Sequence, residues 1–273
     1  MNNQYISSVV FAKEIRKYSL EMVYRSKASH IASALSSVDI LAVLYFDVMN
    51  VFLSDVKNEK RDYFILSKGH ACVSLYATLG LKGFFPLKDL ESYGLNGSSF
   101  MNHISHKVPG VEFSTGSLGH GLPYGSGIAL GKKIRKKNNK VFVLVGDGEL
   151  DEGSNWEALL FASHHGLDNL VVIVDYNNLQ SLTTVKNTIN LEPLASKFES
   201  FGCLVLKVDG HSHEMLKKAF EYALTNSSGK PLVVIAKTIK GKGVSFMENS
   251  VKWHYTTPNG DELIHALSEI ENA

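Results

Sequence analysis

The chain has 273 residues, 44% of them hydrophobic and 20% charged, and a formal net charge of +1. That is the composition of an ordinary globular protein with a substantial core, and it offers no global field to attract nucleic acid or an anionic membrane. The two cysteines, Cys72 and Cys203, lie far apart in apolar context and read as buried free thiols. This excludes a disulfide framework and a cysteine zinc site, and suits a reducing cytoplasm. The chain start, MNNQYISSVV, lacks a basic segment followed by an apolar one, so no signal peptide is expected. No run approaches ~18 apolar residues, so no membrane span is expected. Residues 8–26 predict an amphipathic helix. A second helix is expected from Ser37 and Asp39, which can cap it, through ILAVLYFDVM. DYFILS (62–67) reads as a strand and 70–80 as a helix. A glycine-rich stretch, 94–127, reads as a loop and then a helix start. VFVLV (141–145), NLVVIVDY (169–176), CLVLKV (203–208) and PLVVIAK (231–237) read as strands. Helical patterns fill 154–166, 191–201 and 212–226, and a last helix follows Pro258-Asn259-Gly260. No internal repeat or low-complexity tract interrupts them.

Apolar β-branched strands alternating with helices predict an α/β fold with a mostly parallel sheet flanked by helices on both faces. Ligands on such sheets bind at the carboxyl ends of strands. Two strand ends stand out. VFVLV runs into Gly146-Asp147-Gly148-Glu149, and NLVVIVDY into Asn177-Asn178. One helix separates them, so the two strands are parallel and, if adjacent, ~4.8 Å apart. Asp147 and Asn177 would then project towards one point. A carboxylate and an amide carbonyl are hard oxygen donors suited to Mg2+ or Ca2+, with water or phosphate oxygens completing the shell. Gly146, Gly148 and Asp151 do not make GxGxxG, and Glu149, Asp151 and Glu152 would repel a pyrophosphate bound directly to a helix start. A metal-bridged diphosphate fits better than a nicotinamide dinucleotide.

The segment GDGELDEGSNWEALLFASHHGLDNLVVIVDYNN resembles the thiamine diphosphate (ThDP) motif, a GDG followed about thirty residues later by Asn-Asn. Its Glu152-Gly153 and Glu157-Ala158 elements resemble the transketolase form. The resemblance implies a ThDP-binding fold, with Asp147, the Asn177 side chain and the main-chain carbonyl of Leu179 as metal ligands. SKGHA resembles the family segment whose histidine, here His70, contacts the diphosphate. KASHIASALSS resembles GHxGxxLS, with Ser29 and Ala32 in place of glycines; the family's histidine there reaches the substrate, a role the resemblance implies for His30. His103 in MNHIS corresponds to a GHP element, with Asn102 and Ile104 in place of the glycine and the proline. His254 in VKWHY corresponds to a WHG element, with Tyr255 in place of glycine. PGVEFSTGSLGHGL resembles PGxExxTGSLGxGL, a loop that meets the cofactor largely through backbone, here Gly116, Ser117 and Leu118. Gly146, Gly148 and Glu149 join the cofactor-binding set. His120, where glutamine is commoner, reads as local variation.

KKIRKK (132–137) reads as a solvated helix end. His164-His165, His211 and His213 read as surface or loop positions. KGKG (240–243) lacks the phosphate-loop pattern GxxxxGK[ST] and precedes the loop bearing His254. The resemblance covers essentially all 273 residues as one diphosphate-binding domain, 1–273, and only the N-terminal part of a full transketolase. It implies the N-terminal subunit of a split transketolase: cytoplasmic, ThDP- and Mg2+-dependent, and paired with a C-terminal subunit in an α2β2 assembly. The implied reaction moves a two-carbon ketol unit from a ketose or ketose phosphate to an aldose or aldose phosphate. His30 and His254 would serve proton transfer or alkoxide stabilisation, and His103 would contact donor hydroxyls. His70 and His254 would also face the diphosphate. Leu182-Thr183-Thr184, where many members carry a glycine, leaves open a ThDP lyase or ligase acting on a modified sugar or ketoacid. A degenerate scaffolding subunit is the non-enzymatic alternative.

Overall fold

A computed structural model describes residues 6–53, 55 and 58–273. The reading of the first residues as lacking a leader falls partly on residues 1–5, outside those described. Five parallel strands form one sheet in the order β1-β2-β3-β5-β4: β1 Tyr63–Leu66, β2 Val141–Gly146, β3 Leu170–Tyr176, β4 Leu204–Asp209 and β5 Leu232–Lys237. All five match the apolar runs of the sequence. The expected α/β architecture, with helices on both faces, is what forms.

The period-two geometry of a strand explains the two cores. Phe64, Phe142, Leu144, Val171, Ile173 and Val234 face one side. They pack with α1 (Ser8–Ser26), α2 (Ile31–Leu35), α3 (Val38–Val43), α4 (Cys72–Lys82), α9 (His213–Thr225) and α10 (Gly260–Asn272). Ile65, Val143, Val145, Val172, Val174 and Ile235 face the other side. They meet α5 (Gly121–Ile134), α6 (Gly153–His164), the short α7 (Val185–Thr188) and α8 (Leu194–Ser200). Each such side chain, fully buried, contributes roughly 1.5–3 kcal/mol. Winding reverses between β4 and β5, so α9 lies on the opposite face from α5, α6 and α8. Strand β4, at the sheet edge, is only half-buried.

Local chemistry sets the helix boundaries. Ser7 caps α1 by accepting from the Val10 N–H at 3.3 Å, and Lys27 closes it in the left-handed region at φ 55°. Asn259 and Glu262 form a reciprocal capping box on α10. A helix does start at the expected place, α3 after Ser37, but the expected side-chain cap is corrected. Helix α2 precedes α3 almost without a break, Ser37 makes no side-chain cap, and its hydroxyl donates to the Ala34 carbonyl at 2.9 Å. Asp39 does not cap either, because its carboxylate is drawn into a buried ion pair with Arg16 at 2.6 Å. The other expected helices fall within a few residues of expectation, and the short α2 and α7 were not expected. Cys72 and Cys203 are buried and free. No helix among the described residues is long and apolar enough to cross a membrane.

Candidate active site

The carboxyl ends of β1, β2, β3 and β5 surround a cavity of about 260 Å³. Its lining includes His30, His70, Asp147, Asn177, Lys240 and His254. Strands β2 and β3 are direct neighbours, with Gly146 opposite Asp175, so Asp147 and Asn177 leave adjacent strand ends. Asp147 is 2% exposed. Its Oδ1 accepts from the Gly148 N–H at 2.8 Å and its Oδ2 from the Asn178 N–H at 2.5 Å. Burial, reinforced by the charge of Asp175, pushes its carboxyl up to about 7 despite those two bonds. The Asn177 Oδ1 accepts from the Leu179 N–H at 3.1 Å, and the Leu179 carbonyl accepts from the Lys240 ammonium at 3.3 Å.

These residues fit a divalent cation. A buried carboxylate lacks a full counter-charge, with two neutral oxygens nearby, and one of those oxygens already takes a cationic donor. Among the described residues no three His, Cys, Asp or Glu side chains gather as a metal cluster. One carboxylate with two amide oxygens is the set of donors these residues could offer, which would suit a hard cation that also takes phosphate oxygens. A Cβ added at Gly146 would meet no atom within 4 Å, so the strand end leaves room for a ligand.

Four histidines converge above this floor. Ring centroids lie 5.2 Å apart for His30 and His70, 4.8 Å for His30 and His254, and 6.0 Å for His30 and His103. His30 adopts φ 70° at the start of α2, a left-handed conformation that costs a non-glycine residue about 1 kcal/mol or more. Its backbone N–H donates to the His254 carbonyl at 2.8 Å, and its Nδ1 pairs with the Ser29 hydroxyl at 2.8 Å. His70 Nε2 pairs with the Ser33 hydroxyl at 2.8 Å. The buried Nδ1 of His254 has no hydrogen-bond partner, a further sign of a site shaped for a polar ligand. Burial first, then His103 and Lys240, lowers the His30 imidazole to about 4. Burial, Lys240 and His30 lower His254 to about 3, and burial with Lys68 holds His70 well below the usual range. These rings are neutral near pH 7, each with one nitrogen to donate and one to accept.

The departures from the family pattern have local reasons. The Ile104 N–H donates to the Gly69 carbonyl at 3.0 Å, a bond that proline could not make. Tyr255 has φ −115°, so the backbone there does not need glycine. Its ring packs edge-on to His254 at 4.7 Å and to His30 at 5.8 Å, at the mouth of the cavity. Thr184 caps α7 by accepting from the Asn187 N–H at 3.2 Å.

Glu149 binds the glycine loop to the strand ends. Its carboxylate accepts from the Ser67 hydroxyl, from the Gly119 N–H at 3.0 Å and from the Gly146 N–H at 3.1 Å. Those oxygens are engaged inside the protein, so Glu149 shapes the cradle while also lining the cavity. Gly119 has φ 85°, and an added Cβ would stand 2.5 Å from the Ser154 hydroxyl. Gly116, Leu118 and Gly148 line the cavity, whereas Ser117 and His120 do not.

Sequence reasoning missed several residues here. Lys68, directly before Gly69-His70, is 2% exposed and ion-paired with the fully buried Asp175. Burial alone would raise the Asp175 carboxyl, but Lys68, Ser36 and Thr238 hold it below its usual range. Lys240, in the KGKG stretch set aside above, is also 2% exposed. Burial and Lys68 lower its ammonium to about 8, and it donates to the Gln180 carbonyl at 2.8 Å. The surface reading of His211 and His213 is corrected as well, since both are partly buried and bind Asp39. A larger cavity of about 580 Å³ beside β4 and β5 contains neither the glycine loop nor the histidine cluster.

The profile of the family described as "Transketolase, thiamine diphosphate binding domain" matches residues 7–270. The chain belongs to this family. It is 41% identical over 255 residues to an apulose-4-phosphate transketolase subunit of Phocaeicola vulgatus, covering 93% of this chain and 90% of that one. It is 36% identical to the 6-deoxy-6-sulfo-D-fructose transketolase subunit of a Clostridium species, covering 99% of this chain and 98% of that one. A crystal structure of transketolase from Campylobacter jejuni superposes with a TM-score of 0.90 at 32% identity, covering 99% of this chain. The chain spans only 43% of that transketolase but nearly the full length of the subunit-type relatives.

Proposed function

We propose that this transketolase-like transferase is the N-terminal subunit of a split transketolase, holding ThDP through a divalent cation and acting only with a C-terminal partner subunit in an α2β2 assembly. The observation that carries the reading is the under-neutralised Asp147 carboxylate. It lies beside the oxygens of Asn177 and Leu179, beneath four converging histidines. Asp147, Asn177 and the Leu179 carbonyl would hold Mg2+, and His70, Ser33, Lys240 and the backbone of Gly116 and Leu118 would meet the diphosphate. Bound ThDP supplies the electron sink that lets a carbon–carbon bond next to a carbonyl break.

The chain's own residues orient the substrates and manage protons. His30 has its Nδ1 engaged by Ser29, which leaves Nε2 for the oxygen of the donor carbonyl. Neutral His30 and His254 can pass a proton to or from that oxygen. His103 would contact donor hydroxyls. The substrate class is a ketose (phosphate) donor and an aldose (phosphate) acceptor. The names of the subunit-type relatives support a modified sugar among the substrates.

Calorimetric titration with ThDP in Mg2+ tests the reading. Binding is expected for the intact chain and lost in Asp147→Ala, and ketol transfer is expected only once the C-terminal partner is present. Unchanged ThDP affinity in Asp147→Ala refutes the metal assignment. Full transfer by the purified chain alone refutes the split enzyme, and a chain that binds no ThDP returns the scaffolding alternative.

A further inference from the structure

Lys240 sits on a tight turn whose two ends are anchored to one buried carboxylate on the far side of the sheet's end. Asp39 of α3 is 5% exposed. Its Oδ2 meets Arg16 Nη2 at 2.6 Å and His211 Nδ1 at 2.7 Å, and its Oδ1 meets His213 Nε2 at 3.1 Å. From there the network reaches the turn twice. The Ile239 N–H donates to His211 Nε2 at 2.8 Å, and Arg16 Nε donates to the Lys242 carbonyl at 3.2 Å. Between these anchors the Gly241 N–H donates to the Ala32 carbonyl at 2.9 Å, two residues after His30. Lys240 extends from the turn to the carbonyls of Leu179 and Gln180 at 3.3 and 2.8 Å.

The hydrogen-bond chemistry gives this chain of contacts a direction. A backbone N–H can only donate, so His211 Nε2 must accept and Nδ1 must carry the proton that goes to Asp39. The carboxylate fixes the imidazole tautomer, and the tautomer fixes the turn. We infer that Asp39 and His211 are positioning residues: they hold the 239–242 turn so that Lys240 reaches the Leu179 edge of the cofactor site. The inference rests on the ThDP reading above. His211 touches none of the residues assigned to the metal, so its effect must pass through the turn.

The test uses the whole chain, with two readouts. Hydrogen exchange, which needs no cofactor, should show the amides of 238–242 losing protection in His211→Leu while the strand cores keep theirs. His211→Gln carries an acceptor and a donor on one amide, and should recover most of that protection. Titration of ThDP in Mg2+ should show His211→Leu binding about ten- to a hundredfold more weakly, the range seen when groups that orient a ligand shell are removed. Lys240→Met should weaken binding, and adding His211→Leu to it should cost little more, because the histidine acts through the lysine. Unchanged exchange at Ile239, no rescue by His211→Gln, or additive losses in the double variant would overturn the inference. If the unaltered chain binds no ThDP, the functional reading fails visibly in that titration, separately from the exchange result.

Discussion

Asp147 is a burden to the metal-free chain, and the sign of that burden can be worked out. Its carboxyl is raised from 3.8 to about 7, so the folded state holds a proton that the unfolded chain has released. Its contribution to folding stability therefore falls as pH rises from about 4 to about 7. His30 and His254 act in the opposite sense, lowered from 6.5 to about 4 and about 3. Their contribution is present above about 6.5 and is lost as pH falls. Asp147→Asn gives up one of two N–H bonds, about 1 kcal/mol, but removes a buried charge whose desolvation costs several kcal/mol. The variant should melt a few degrees higher than the metal-free parent at pH 7.5, and its stability should rise more steeply between pH 4 and 7. Mg2+ with ThDP should raise the melting temperature of the parent and leave the variant unmoved. Scanning calorimetry across pH checks all three, and a variant less stable than the parent at pH 7.5 would contradict the burial argument.

Helix α5 couples the cradle to the core through glycine. A Cβ on Gly121 would stand 2.4 Å from the Ser67 hydroxyl and 2.8 Å from its Cα. Ser67 in turn supports Glu149, which ties down Gly119 and Gly146. Gly121→Ala should cost about 1–3 kcal/mol by overpacking and weaken ThDP binding as well. Gly127 lies on the same helix with nothing within 4 Å of an added Cβ, so Gly127→Ala should stabilise by about 0.4–1 kcal/mol. Urea unfolding of the two variants tests the contrast. At this scale the sequence was most readable. Val, Ile and Leu runs announce strands buried on both faces, and Asp147 and Asn177 stand in motifs local to two strand ends. The start of α3 after Ser37 was readable, but α2 just before it was not, and with α2 supplying upstream carbonyls Ser37 has no cap to make. Lys68 and Lys240 escaped notice because a buried lysine is spelled like a surface one. Its role emerges only when Asp175 or Leu179, 107 and 61 residues away, folds beside it. The same holds for His211, which meets Asp39 across 172 residues.

For the whole molecule, the cavity holds about 260 Å³, below the roughly 300–1,000 Å³ of pockets that bury most of a small molecule. Its chemistry is also one-sided. Charged, amide and imidazole groups line the floor. Tyr255 at the mouth is 58% exposed, and Leu182, next in sequence to the lining Ser181, is 79% exposed. A site built this way should grip the diphosphate and leave the thiamine rings largely uncovered until a partner closes over them. The chain alone, in Mg2+, should therefore bind inorganic pyrophosphate and ThDP with affinities within a few-fold of each other. Adding the C-terminal partner should tighten ThDP by more than about tenfold, or 1.4 kcal/mol, as the rings become buried, and leave pyrophosphate little changed. Competition titration measures the ratio directly. A chain that prefers ThDP over pyrophosphate by a hundredfold without a partner would mean that these residues already enclose the rings, and that the site is whole rather than half.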